Sequence, residues 1–107
     1  MATYKSTSSG QVSVFTNTTI DFTDYTTAHF MLYCTYDYSG NNYGLRIHVT
    51  NDQPAGTASN PAAITKRRFG TNSNFTDVTL DVSNVNGPYY LGIWGTGKWE
   101  CTDIWLT

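Results

Sequence analysis

The side chains best suited to hold a polyhydroxylated ligand are concentrated at one end of this sequence. All three tryptophans, Trp94, Trp99 and Trp105, fall within residues 88–107, together with Tyr89 and Tyr90. An indole ring offers a flat apolar face that stacks on a sugar ring or on another aromatic, and its N–H keeps one polar contact. Directional hydrogen bonds would come from Arg46, His48 and Asp103, and Tyr33 adds a further ring and hydroxyl. A ligand site needs that combination of apolar ring surface and a few polar groups that fix orientation. The candidate ligand-binding set is therefore Trp94, Trp105, Trp99, Tyr90, Arg46, His48, Asp103 and Tyr33.

Catalysis is less well provided for. Glu100 is the only glutamate, so a two-carboxylate glycosidase would have to recruit aspartates such as Asp81 and Asp103. No Gly-x-Ser-x-Gly elbow occurs, nor a phosphate-binding glycine loop or cofactor motif. His29, Cys34, His48 and Cys101 show none of the close pairings of a structural zinc site. The sequence predicts no catalytic residue and no metal site.

Strands must position the candidate set, because several runs alternate with period two between Gly, Asn, Asp or Pro and none sustains a helical period. Short strands are expected over 10–15 and 18–22. A long one over 28–36 places Ala28, Phe30, Leu32, Cys34 and Tyr36 on one face and His29, Met31, Tyr33 and Thr35 on the other. The loop Asp37–Asn42 leads to a strand over 43–50, and these two strands are expected to pair as a hairpin. There Tyr43, Leu45, Ile47 and Val49 face inward, and Gly44, Arg46, His48 and Thr50 outward. Residues 51–61 read as a surface loop, 62–69 as either a strand or a helical turn with Lys66, Arg67 and Arg68 in solvent, and 75–82 as a strand burying Val78, Leu80 and Val82. Two final strands, 89–94 and 99–106, are expected to be joined by a turn at Gly95-Thr96-Gly97-Lys98. Alternation sets Leu91 and Ile93 against the core with Tyr90 and Trp94 outward, and Ile104 and Leu106 opposite Trp99, Cys101, Asp103 and Trp105.

Seven or eight such strands in 107 residues predict a single all-β domain, a two-sheet antiparallel β-sandwich of jelly-roll type. Its core would hold Phe30, Leu45, Ile47, Val78, Leu80, Leu91, Ile93 and Ile104. The strand count sets Cys34 and Cys101 on opposite faces, which favours two free thiols over a bridge; a bulge in either strand would reverse that count.

Composition narrows the partners. The net charge is −2 and only 13% of residues are charged, well under the usual ~25%, so a basic nucleic-acid-binding face is excluded. No apolar run approaches the ~20 residues of a membrane helix, and no secretory leader is visible. Asn17-Thr-Thr and Asn74-Phe-Thr match the glycosylation acceptor pattern, which has meaning only for a secreted chain.

The stretches Ile20-Asp-Phe-Thr-Asp-Tyr, Thr79-Leu-Asp-Val-Ser-Asn-Val-Asn-Gly-Pro-Tyr-Tyr-Leu-Gly-Ile-Trp and Asp103-Ile-Trp-Leu, with the 28–36 strand, resemble carbohydrate-binding modules and galactose-binding-like jelly rolls. They look most like the small versions found in phage tail and virion proteins. The resemblance implies lectin-like glycan binding on a concave sheet or at end loops, and in many members a structural calcium ion. Asp21, Asp24 and Asp52 are oxygen ligands without a defensible calcium spacing. The expectation is a non-catalytic module that binds oligosaccharide or polysaccharide, in a virion or extracellular setting and without a cofactor. Its alternative is a virion structural or adhesion protein, active in host recognition, whose aromatic face is buried between copies in a homo-oligomer.

Overall fold

A computed structural model describes residues 4–6, 11–38, 44–51 and 63–107. Tyr43, Asp52 and nearly all of the predicted loop at 51–61 lie outside the described residues. Among the described residues there is no helix, and hence none long and apolar enough to cross a membrane. The strands are β1 (Tyr4–Ser6), β2 (Gln11–Phe15), β3 (Ile20–Asp21), β4 (Thr27–Asp37), β5 (Arg46–Thr50), β6 (Ala63–Arg68), β7 (Thr76–Asp81) and β8 (Pro88–Leu106). The segment that sequence left between strand and helical turn is thus a strand, β6.

The strands form one curled antiparallel sheet organised around β8, with the order β6-β5-β8-β4-β7. The first half of β8 runs between β2 and β5, and its second half between β1 and β4, while β3 pairs with its start. The predicted turn at 95–98 does not exist: β8 continues through it for 19 residues. Its glycines answer a different demand. A Cβ on Gly97 would run into the Tyr36 carbonyl oxygen and the Leu45 side chain, and one on Gly95, whose φ is 132°, would meet the backbone of Gly44 and Leu45. Glycine is needed here because the chain leaving β4 and the chain entering β5 press against this part of β8. Tyr38 N–H donates to the Thr96 carbonyl at 3.0 Å, and Gly44 forms an isolated parallel bridge to Thr96.

β4 and β5 are not the expected hairpin either. They flank β8 in different halves of the sheet, and a carboxylate fixes the crossing between them. Asp37 accepts the Leu45 N–H at 2.8 Å and the Arg68 guanidinium at 2.6 Å, and Arg68 also donates from Nε to the Leu45 carbonyl at 3.1 Å. The guanidinium occupies the space that a side chain on residue 44 would need, so Gly44 is required for the clamp.

The core follows from alternation. Ala28, Phe30, Leu32 and Cys34 of β4 meet Ile47 and Val49 of β5 and Leu91, Ile93, Trp99 and Cys101 of β8 in one buried cluster. All eight predicted core residues are in this cluster or packed against it. Each large aliphatic or aromatic side chain buried this way contributes about 1.5–3 kcal/mol. β5 departs from the expected pattern, because all five of its residues are buried: Arg46, His48 and Thr50, which alternation turns away from the core, are only 5%, 0% and 2% exposed. At the open edges, Arg67 of β6 donates to the Thr79 carbonyl of β7 at 2.7 Å, tying the two ends of the sheet order together.

Candidate functional site

One extra residue decides which aromatics reach solvent. In the β4–β8 ladder Met31 is opposite Asp103, but Leu32 is opposite Cys101, so Thr102 is left over as a bulge. An inserted residue reverses the face count beyond it. Trp99 and Cys101 therefore turn inward beside Cys34 and Leu32, while Asp103 and Trp105 stay outward. This corrects the outward placement of Trp99, which is 2% exposed, and of Cys101. Both cysteines are buried on the same side and are free thiols. Their sulfurs donate to nearby carbonyls, Cys34 to Tyr36 at 3.3 Å and Cys101 to Asp103 at 3.4 Å. Burial raises both thiol pKa values, that of Cys101 to about 11.

The outward face of β7, β4 and β8 is a three-by-three grid set by the strand registers. Thr79, His29 and Trp105 form one row, Asp77, Met31 and Asp103 the next. Tyr33, opposite Glu100, and Phe75, which immediately precedes β7 and packs on Tyr33 at 5.6 Å between ring centroids, complete it. In the first row the Trp105 indole lies parallel to the His29 imidazole, 4.7 Å between centroids and 5° between planes. His29 cannot tilt freely, because Asp77 Oδ2 holds Nδ1 at 2.9 Å and Thr107 Oγ1 holds Nε2 at 2.8 Å. Thr107 is anchored in turn: its carbonyl accepts from Thr26 and Thr27, and its N–H donates to Thr27. Trp105 is 37% exposed and Phe75 41%, so one ring at each end of this face is open to solvent. The chemistry on offer is stacking plus carboxylate acceptors and a fixed imidazole–hydroxyl pair.

The other half of the candidate set is closed. Arg46 is opposite Trp94, His48 opposite Gly92 and Thr50 opposite Tyr90. These residues share the face that alternation predicts, but the face is covered: Trp94 and His48 are both 0% exposed, and Tyr90 is half-buried. The Arg46 guanidinium lies 4.9 Å over the Trp94 ring, a cation–π contact that offsets part of the cost of burying the charge. Burial lowers the Arg46 pKa, helped by Arg68 and opposed by Asp37. His48 sits between Phe15 and Trp94, with centroids 6.4 and 6.2 Å away. Neither of its ring nitrogens has a hydrogen-bond partner among the described residues. Burial first, then Arg46 and Lys66, push its pKa down to about 4, so His48 is neutral at neutral pH. This corrects the expectation of an accessible Trp94–Arg46–His48 surface.

The predicted set is therefore divided. Trp105, Asp103 and Tyr33 share the open face, Trp94, Arg46, His48 and Tyr90 the closed one, and Trp99 is core. His29, Asp77, Phe75 and Thr107 were missing from it. The outward placement of His29 was legible by alternation, but its alignment with Trp105 depends on a strand pairing the sequence did not reveal.

Of the oxygen ligands considered for calcium, Asp21 is engaged within its own turn: its Oδ1 accepts from the Thr23 N–H at 3.0 Å and from the Thr23 hydroxyl at 2.7 Å. Among the described residues no three His, Cys, Asp or Glu side chains are grouped as ligands. Compared with protein-family models, curated proteins and solved structures, the chain matches none.

Proposed function

We propose that this chain is a non-catalytic carbohydrate-binding module, a β-sandwich of jelly-roll type whose binding face is the outward surface of β7, β4 and β8. The observation that carries this reading is the Trp105 indole, exposed and backed in parallel by an imidazole whose two nitrogens are both held. A ring fixed in this way stacks on a pyranose at little entropic cost, and Asp77 and the Thr107 hydroxyl, which hold His29, together with Asp103 in the next row supply oxygens to orient hydroxyl groups. A virion or tail setting suits such a module, since recognition of host polysaccharide needs an appendage of this kind.

The test is a glycan array screened with the purified protein, its Trp105→Ala variant and its Trp94→Ala variant. Trp105→Ala should abolish binding and leave the melting curve nearly in place. Trp94→Ala empties a buried site and should cost about 3–5 kcal/mol of stability. Retained binding by Trp105→Ala would refute the site. No glycan bound by the native protein, with self-association that Trp105→Ala abolishes, would transfer this face to the interface between copies.

A further inference from the structure

Resting on that carbohydrate reading, we infer that the face takes an internal stretch of a linear, non-acidic glycan laid along β4, and not a terminal sugar. Two observations carry this. The exposed rings stand at opposite ends of the grid, Trp105 beside His29 and Phe75 beside Tyr33. His29 and Tyr33 are four residues apart on one strand, roughly 13 Å at the usual rise of an extended chain. Met31 fills the floor between them, half-buried and flanked by Asp77 and Asp103. A monosaccharide on Trp105 leaves Phe75 untouched, whereas a chain running along the strand covers both rings and passes between the two carboxylates.

The second observation is charge. Asp77 and Asp103 border the middle of the path and Glu100 its far end, with the exposed Lys98 two residues before Glu100. The described ion pairs leave both Asp77 and Asp103 without a Lys or Arg partner; Asp77 meets only His29. A uronate, sialate or sulfate laid along this path would pass between the Asp77 and Asp103 carboxylates that flank Met31, and like charges repel. Neutral hydroxyls instead donate to those same oxygens.

The test uses a size-graded array of neutral linear oligosaccharides, namely β-1,4-glucans, β-1,4-mannans, chito-oligosaccharides and α-1,4-glucans from the monosaccharide upward. Oligouronates and sialylated glycans are printed beside them. The expected result is no detectable binding of monosaccharides, affinity that rises with chain length to a plateau, indifference to chemical reduction of the free end, and weak or absent binding of the acidic series. Phe75→Ala should remove about tenfold of affinity for the longer members only, and Trp105→Ala should abolish binding of all lengths. Full affinity for a monosaccharide, a requirement for a free terminus, or preference for acidic glycans would overturn the linear path and leave the carbohydrate reading intact. Binding to no glycan on the array would remove both.

Discussion

Acid should destabilise this fold mainly through one side chain. His48 is wholly buried, and its pKa is lowered from 6.5 to about 4, first by burial and then by Arg46 and Lys66. In the unfolded chain the same imidazole takes up a proton near pH 6.5. Between these two values the unfolded state binds more protons than the native state, so stability rises with pH across the window. The contribution is complete above pH 6.5 and is lost as the pH falls toward 4. At about 1.4 kcal/mol per pH unit, the drop amounts to roughly 3 kcal/mol, and a domain of this size would lose on the order of 10–20 °C of melting temperature. The carboxylates that their neighbours hold low act further down: Asp21 and Asp81, which accept hydrogen bonds from Thr23 and Ser83, are held below the ordinary carboxylate value in the native state.

Two measurements bear on this. The ring-proton resonances of His48, followed by NMR, should titrate with a midpoint near 4. Urea denaturation at a series of pH values should show the native protein losing stability between pH 6.5 and 4.5, while a His48→Leu variant loses much less. That variant also removes two ring nitrogens without partners among the described residues, so its stability at pH 7 should be close to that of the native protein. A midpoint near 6.5, or equal slopes in the two proteins, would refute the assignment of a buried neutral imidazole.

Cys34 and Cys101, buried with raised pKa values, should ignore a thiol reagent such as DTNB in native buffer, and both should react once the chain is unfolded; rapid native labelling, or no free thiol after denaturation, would contradict the packing. Gly97→Ala forces a Cβ against the Tyr36 carbonyl and should destabilise by at least about 1–3 kcal/mol, whereas Gly70→Ala, with nothing within 4 Å of the added atom, should be close to neutral in the same melt.

The core was legible because it depends only on alternation. Phe30, Leu32, Ile47, Val49, Leu91 and Ile93 announce their face by spacing, whatever strands they pair with. Pairing itself was not legible. Gly95 and Gly97 carry the chemistry of a tight turn, but here glycine is needed because another stretch of backbone approaches, and that is a tertiary fact with no local signature. The same holds for Arg46, His48 and Thr50. Polar residues at every second position read as a wet face, and only the covering of that face makes them interior. Trp99 was misplaced for another reason. In the run Trp99-Glu-Cys-Thr-Asp-Ile-Trp-Leu, hydrophobic residues occupy both parities, so the sequence is compatible with either face until a bulge at Thr102 assigns one parity before it and the other after. His29, Asp77 and Thr107 come from three separate segments, and no motif spans them.

The sorting of tryptophans along β8 also explains how the open ring is sustained. Trp94 is locked against Arg46 on the closed face, and Trp99 is locked into the core beside Cys34. Between them they fix both halves of the strand against its neighbours before the chain reaches Trp105. The terminal part of β8 can therefore place a large ring in solvent without depending on that ring for its own position. A tryptophan required for packing would resist replacement by any other side chain, since the core tolerates little change of volume. Trp105 touches a side chain that is held independently by Asp77 and Thr107, so the face can exchange its ring without unsettling the fold.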